Sequence, residues 1–429
     1  DHRYRNTLAP ELLGSARQQD GAFDRLQRRQ MRQRCGLDRH LAGEIAYRFA
    51  ITISQHDSSA FGLRPAHDQP TCVVRDRFAA FGVNPPQRNA LVIAEALGDP
   101  QLLGETLQHA GNAWAYHRWK SVLESGSRAT ELLRGTGDHW NLCIAGFGLG
   151  LALVGSGRFR ESLGPFEESA LAGARSGNAW GLATGTAFNV TARLILDGDI
   201  EEFRRAGHWA DDYPAFRWAG ELSSSYADLL VGQWDRALVG ARRRPFQDVS
   251  VQRGVEQGIA LIAEAYAGDA DAVALLLEEH RDLLPSGGVG TQGGWSFAAC
   301  ATEALATAGR HDEAAAFLDL WEQAMDAGHV VEVTFPVLIA RLAGIAAASG
   351  RQWDVAVERF ETALRQAHEI RFIIEQPEVR RWYADMLIER GAPGDVEKAR
   401  HLLAEAIEMY RMIGMPRHIG LAERLLAQA

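Results

Sequence analysis

Hydrophobic positions between residues 89 and 429 recur with the spacing of amphipathic helices, and the helices recur in pairs. Each pair contains an apolar helix, a short turn with glycine, and a second helix rich in Ala, Leu and Glu. One marker residue follows each turn, and the markers are Trp119, Phe159, Ile200, Trp234, Ala270, His311, Trp353 and Val396. Their separations run from 34 to 43 residues, as in helix-pair repeat proteins. The pattern predicts an all-α solenoid of about eight helix pairs.

Five of the turns place a glycine two residues before the marker: Gly157, Gly198, Gly232, Gly268 and Gly309. We expect each of these glycines to adopt the left-handed backbone that ends the first helix of its pair. A single pair cannot bury both of its apolar faces, so each pair should pack against the next one.

The second helix of two pairs carries small, large and small residues on one face. These residues are Ala356, Phe360 and Ala363 in one pair, and Ala399, Leu403 and Ala406 in the other. Leu149 and Gly150 stand eight and seven residues before the turn glycine Gly157. This arrangement resembles the tetratricopeptide repeat family, which implies a tetratricopeptide-like helix-pair solenoid. An irregular helical domain with coincidental spacing is the alternative.

The segment from Trp382 to His418, WYADMLIERGAPGDVEKARHLLAEAIEMYRMIGMPRH, carries a narrower resemblance. The ERGAPGD turn is one part of it, and the other part is the ending with Met409, Tyr410, Arg411, Gly414 and Met415. Both are similar to the last repeat of large bacterial signalling proteins. Those proteins join a class III adenylate or guanylate cyclase domain, or a LuxR-type regulator, to an AAA-type ATPase and a tetratricopeptide tail. The resemblance implies a regulatory tail whose catalytic domain lies outside this chain.

The chain divides into three predicted parts. Residues 1–88 show no helix-pair period and hold 14 Arg, no Lys and 9 acidic residues. We expect a poorly organised N-terminal segment, and both disorder and non-native sequence from a frame error stay open. Pro85 and Pro86 mark the boundary to the solenoid, which covers residues 89–415. Residues 416–429 form a C-terminal capping helix that begins at Pro416, a favourable first-turn residue.

Charge and apolar runs bear on partners and location. The net charge is −10, and residues 89–429 alone carry −15 (31 basic and 46 acidic residues), a charge that opposes the approach of nucleic-acid phosphates. The longest apolar run, Leu142 to Val154, is 13 residues and too short to span a membrane. The four cysteines lie far apart, so we expect reduced thiols and a cytoplasmic location. A fragment of a LuxR-type transcriptional regulator remains an alternative, with Arg25 to Arg39 as its basic patch.

We predict no catalytic, cofactor or metal site. The single G-x-G-x-x-G string, at Gly288, Gly290 and Gly293, follows a predicted helix, whereas a dinucleotide site needs a strand there. The sequence has neither a G-x-x-x-x-G-K-[ST] phosphate loop nor an H-E-x-x-H metal motif. We therefore expect a protein that is not an enzyme. If the chain belongs to a cyclase, it is one by name only, with the catalytic domain elsewhere.

The first helices of the pairs should line a concave groove, the usual functional surface of a solenoid. Alignment on the turn glycines places seven residues towards it: Trp114, Phe147, Leu151, Phe188, Ile195, Tyr226 and Leu229. All are apolar or aromatic, and the Lys, Arg and Asn side chains that grip a peptide carboxylate are missing. The groove therefore either takes an apolar helix of a protein partner or is closed by the protein's own packing. The sequence thus predicts a non-catalytic protein-interaction and regulatory module.

Overall fold

The computed structural model describes residues 91, 94–112, 119–208, 217–242, 253–285 and 291–429. The described residues are 81% helical with almost no strand, which confirms the predicted all-α class. The predicted N-terminal segment, residues 1–88, lies outside the described residues. Among the described helices, none combines the length and the apolar character that crossing a membrane requires.

The described residues form eighteen α-helices and two short strands. The first nine helices are α1 Pro100–Asn112, α2 Trp119–Arg134, α3 His139–Gly155, α4 Phe159–Ser176, α5 Ala179–Asp197, α6 Ile200–Gly207, α7 Arg217–Val231, α8 Trp234–Arg242 and α9 Val255–Ala267. The remaining elements are α10 Ala270–Glu279, α11 Gln292–Thr307, α12 His311–Ala315, α13 Leu318–Asp326, β1 Val331–Glu332, β2 Val337–Leu338, α14 Ile339–Ser349, α15 Trp353–Glu369, α16 Glu375–Arg390, α17 Asp395–Ile413 and α18 Pro416–Leu426.

In the described part of the chain, the helices form eight successive pairs, and α18 follows the last pair. The first helices are α1, α3, α5, α7, α9, α11, α14 and α16, and each packs on its own second helix and on the first helix of the next pair. Seven of the eight markers are the first residue of a second helix, and Val396 is the second residue of α17. In the sixth pair, the second helix is divided into α12 and α13.

The turns between paired helices have the backbone that the glycines predict. The five turn glycines have φ between +70° and +89°, which confirms the prediction of a left-handed residue at each turn. The seventh pair differs, because Gly350 has φ −85° and the next residue, Arg351, takes the left-handed position with φ +54°. The repeat therefore keeps the geometry of the turn even where glycine is displaced by one residue.

The small and large positions predicted within the pairs form the interior of the helix stack. All six residues of the small-large-small faces are 0% exposed, namely Ala356, Phe360, Ala363, Ala399, Leu403 and Ala406. The first helices contribute matching glycines. Gly150 lies against the ring of Phe166, and Gly344 lies against the ring of Phe360, so that a Cβ atom on either glycine would crowd that ring.

A short β-hairpin that the helical pattern did not predict connects α13 to α14. Val331 pairs with Leu338, and Glu332 pairs with Val337, in antiparallel register. The strands are buried, and β1 contacts both α3 and α11. The hairpin therefore fills the space between the first half of the helix stack and the second.

The second half of the chain folds back onto the first half at three successive turns. Each contact joins the end of a first helix in the early pairs to the segment that follows a later second helix, which is a loop in two cases and the start of α18 in the third. The three polar contacts are Val330 N–H to Gly155 O (2.8 Å), Ile373 N–H to Ile195 O (2.9 Å) and His418 Nε2 with Leu229 O (3.5 Å). The sequence separation is similar in all three, from 175 to 189 residues, so the two halves lie against each other in a regular way.

Candidate functional site

Five of the seven predicted groove residues are buried within the protein's own packing: Phe147, Leu151, Ile195, Tyr226 and Leu229. The ring of Phe147 meets the ring of Trp180 edge-on, with 5.0 Å between centroids. The backbone contact of Ile195 with Ile373 places the second half of the chain directly over Ile195. Trp114 lies outside the described residues.

Phe188, which is partly exposed, and the buried Tyr226 line one pocket. It encloses about 660 Å³, including space open to solvent, where the first helices α5, α7 and α9 come together. An apolar lining with a few polar groups is typical of binding sites in proteins. Its lining residues are Ala183, Thr184, Ala187, Phe188, Thr191, Phe203, Leu222, Ser223, Tyr226, Val255, Ile259 and Thr334. We call this the apolar pocket.

Helical spacing explains how three helices contribute to the apolar pocket. On α5, Ala183, Ala187 and Thr191 stand four residues apart, and so do Thr184 and Phe188, which places these residues on one face. Leu222 and Tyr226 stand four residues apart on α7 in the same way. Asn178 fixes the start of α5, because its side chain accepts a hydrogen bond from the backbone N–H of Gly181 at 3.0 Å.

The polar atoms at the apolar pocket are uncharged and partly satisfied by their own helices. Thr184 Oγ1 donates to Trp180 O at 2.9 Å, and Thr191 Oγ1 donates to Ala187 O at 3.0 Å. Burial, and then the nearby charge of Glu375, raise the pKa of the Tyr226 phenol, so this group stays neutral. No lining residue is Asp, Glu, Lys or Arg. The pocket therefore suits an uncharged, mainly apolar group.

A second group of polar residues is buried where α11, α14, α16 and α18 meet. We call it the buried charge cluster, and its members are Glu303, Arg341, Glu375, Glu378, Arg381 and His418. The guanidinium of Arg341 donates twice to Glu375, at 2.9 Å each, and once to Glu303 at 2.6 Å. Glu375 also accepts the backbone N–H of Leu338, at the end of the hairpin, at 3.0 Å. Arg341 thus joins three helices and the hairpin.

The other half of the buried charge cluster is centred on Glu378. Arg381 Nη2 donates to Glu378 at 2.6 Å, Tyr410 Oη donates to it at 2.8 Å, and His418 Nδ1 lies 2.7 Å from its Oε1. Burial alone would raise the pKa of Glu378, but Arg381 and His418 hold it well below its usual range. Three carboxylates face two guanidinium groups and one imidazole, so the charges largely compensate one another.

These contacts give the buried charge cluster a structural role. Its carboxylates and guanidinium groups bind to one another and to Tyr266 or Tyr410, which leaves the helices, not a substrate, as their partners. Breaking one partner of a buried pair is costly because the other charge is left uncompensated. The sequence analysis missed this cluster. A local signal did exist, since Arg341 is a single charge within the otherwise apolar helix IARLAGIAAAS.

In comparisons with known proteins, no protein-family model matches this chain, and no curated protein is significantly similar to it. What the site can do is therefore inferred from its own residues.

Proposed function

We propose that this chain is a non-catalytic regulatory module that binds protein, built as a tetratricopeptide-like solenoid of eight helix pairs. The apolar pocket, lined by the predicted groove residues Phe188 and Tyr226, is the observation that carries the proposal. In this proposal the bound element is an apolar segment of another protein or of an effector domain in the same polypeptide.

Two properties of the apolar pocket favour such a segment. Its lining is uncharged, so a charged group would lose its hydration without gaining a partner there. The pocket is open to solvent, so a side chain of another molecule can reach its apolar lining from outside. Large apolar side chains that enter a pocket are the usual anchors of a protein interface. Helices that present such anchors three or four residues apart are recognised in apolar grooves.

The resemblance to bacterial signalling proteins concerns the longer polypeptide to which this chain would belong. The similarity at Trp382 to His418 leads us to propose a cytoplasmic tail of a bacterial signalling protein that carries a cyclase and an ATPase domain. In that setting the apolar pocket would hold the effector domain in one of its states. The coding sequence that surrounds this chain, read in all three frames, should encode such a domain, and its absence would contradict this part of the proposal.

The pocket is tested by filling it. Ala187 lines the pocket on α5, and Ala179 is exposed at the start of the same helix, so Ala187→Leu and Ala179→Leu form a matched pair. A photo-crosslinking residue is introduced at exposed Glu221, next to lining residue Leu222, in each background. We expect irradiation in the producing cells to give one discrete adduct, which Ala187→Leu abolishes and Ala179→Leu leaves unchanged.

The adduct's partner is then purified and titrated with the same variants. Ala187→Leu should weaken binding at least about tenfold, because an anchor side chain at the centre of an interface contributes more than about 1.4 kcal/mol. Ala179→Leu should change it less than about twofold. Equal affinities for the two variants would contradict the proposal, as would an adduct that forms equally in both backgrounds.

A further inference from the structure

A smaller pocket of different chemistry lies between the first helices of the last three pairs. It is open to solvent, so the end of a side chain or a small ligand can approach it from outside. The residues that line it are Ala306, His311, Ile345, Ala348, Ser349, Phe360, Trp382, Asp385, Met386 and Glu389. We call this the acidic pocket. Trp382, Asp385 and Glu389 share one face of α16, since they stand three and four residues apart.

Asp385 is a partly buried carboxylate without an ion-pair partner among the described residues. Among the described residues it forms no recorded hydrogen bond or ion pair, although it lines the acidic pocket. Burial raises its pKa, Arg381 opposes that effect, and the negative charge of Glu389 adds to it. His311 acts on the pKa of Asp385 in the same direction as Arg381. A cation that enters the pocket would therefore meet a carboxylate for which no other side chain competes.

Trp382 provides a second unpartnered polar group at the same place. The side chain is 6% exposed, and its indole N–H has no hydrogen-bond partner among the described residues. By comparison, the buried indole N–H groups of Trp119 and Trp321 donate to His329 Nδ1 at 2.9 Å and Thr302 Oγ1 at 3.0 Å. A buried donor without an acceptor carries a free-energy cost that a bound acceptor removes.

Helix ends add to the negative potential of the acidic pocket. Ala306 is in the last turn of α11, and Ser349 is the last residue of α14, so both helices direct their C-terminal ends at the pocket lining. The C-terminal end of a helix carries partial negative charge and attracts cations. Metal binding is not the best use of this site, because the described residues contain no group of three or more metal-ligating side chains.

We infer that the acidic pocket binds an ammonium or guanidinium group, with Asp385 as its ion-pair partner and Glu389 as a second carboxylate. The indole N–H of Trp382 donates to a hydrogen-bond acceptor on the same ligand. This chemistry is found in a basic side chain of a protein, whose backbone carbonyl supplies the acceptor, and in a free small cation. The inference is independent of the apolar pocket, which lies on other helices.

The test follows the indole ¹H–¹⁵N resonance of Trp382 in the full chain, assigned by its loss in Trp382→Phe. Three probes are titrated: amide-capped arginine, methylguanidinium, and amide-capped citrulline as the neutral counterpart of arginine. We expect saturable shifts of this resonance with capped arginine and at least about tenfold weaker binding of capped citrulline, since one tenfold step corresponds to the loss of one charge-assisted contact.

Variants locate the contact and control for folding. Asp385→Asn should weaken binding of capped arginine at least about tenfold, whereas Asp319→Asn, at an exposed acid on α13, should leave it unchanged. Asp385→Asn should also raise the midpoint of thermal unfolding in the absence of probe, because it removes an uncompensated buried charge. A merely structural carboxylate would lower that midpoint.

Each outcome has a defined consequence. Tighter binding of capped arginine than of methylguanidinium assigns the site to a protein side chain, and equal binding assigns it to a free cation; both support a cation site. The inference is overturned if capped citrulline binds as well as capped arginine. It is also overturned if no probe shifts the resonance, or if Asp385→Asn binds like the unaltered chain. None of these results depends on the crosslinking experiment at the apolar pocket.

Discussion

Glu332, in strand β1, is a carboxyl group that water barely reaches. It is 4% exposed and accepts the backbone N–H of Phe335 at 2.6 Å. Burial raises its pKa to about 7, although the hydrogen bonds from Phe335 and Thr334 act in the opposite direction. Between pH 4.5 and 7 the folded protein therefore holds a proton here that the unfolded chain has released. Stability is lost as the pH rises through this window.

We therefore expect Glu332→Gln to stabilise the protein at pH 8 and to have much less effect at pH 5. The upper limit of the gain is about 3 kcal/mol, and the hydrogen bonds that glutamine makes less well reduce it. Denaturant unfolding at the two pH values measures the difference. Glu423→Gln, at an exposed position of α18, is the control and should be neutral at both. A gain of equal size at pH 5 and pH 8 would contradict the shifted pKa.

Residue-scale prediction from the sequence succeeded where local backbone geometry decides the residue. A left-handed position favours glycine regardless of its surroundings, so the five turn glycines could be identified by their spacing alone. The left-handed backbone of Arg351 could not be predicted in this way, because arginine does not favour that conformation. The burial of Glu332 and Asp385 was equally hidden, since it depends on helices that lie far away along the chain.

Close contact between a glycine and an aromatic ring sets the distance within helix pairs. A Cβ atom at Gly150 of α3 would lie 2.5 Å from the ring of Phe166 of α4, and one at Gly344 of α14 would lie 3.0 Å from the ring of Phe360. Phe166 and Phe360 are both fully buried and stand seven residues after their markers. Two distant pairs therefore use the same glycine-on-phenylalanine contact.

We expect Gly150→Ala to destabilise the protein by about 1–3 kcal/mol, because the buried ring of Phe166 must move into a packed interior. The effect of Gly344→Ala should be smaller, since the clash is milder. Gly420→Ala in α18 is the matched control: its Cβ has nothing nearer than 3.8 Å, so the better helix propensity of alanine should stabilise by about 0.5–1 kcal/mol. Chemical denaturation of the three variants checks this order, and a stabilising Gly150→Ala would contradict it.

The element scale is where the sequence was most informative. Seven of the markers coincide with the first residue of a second helix. The spacing is this precise because each turn combines a helix end, a left-handed residue and a new helix start. The β1–β2 hairpin was missed, although VVEVTF contains the β-branched alternation of a strand. Two-residue strands are too short for that alternation to stand out from the apolar pattern of the adjoining helix α14.

At the scale of the whole molecule, the contact between the two halves could not be predicted from the repeat. The curvature of a helix stack is the sum of small rotations from one pair to the next, and no single residue encodes it. This curvature decides whether the predicted groove stays open. The second half of the chain covers Ile195 and Leu229, whereas Phe188 and Tyr226 lie beside a pocket. Closure by the protein's own packing therefore applies to the first two residues, and a binding groove applies to the other two.

The turn glycines distinguish the covered edge of the helix stack from the free one. A Cβ atom at Gly198 would lie 2.6 Å from Ile373, whereas one at Gly268 would have nothing within 4 Å, although both residues are left-handed. Gly268→Ala should therefore cost only the backbone strain, about 1 kcal/mol, and Gly198→Ala should add the clash between the halves. Hydrogen exchange reports the difference, because the Ile373 N–H donates to Ile195 O. We expect faster exchange at Ile373 in Gly198→Ala alone; equal exchange in both variants would mean that the halves separate freely in solution.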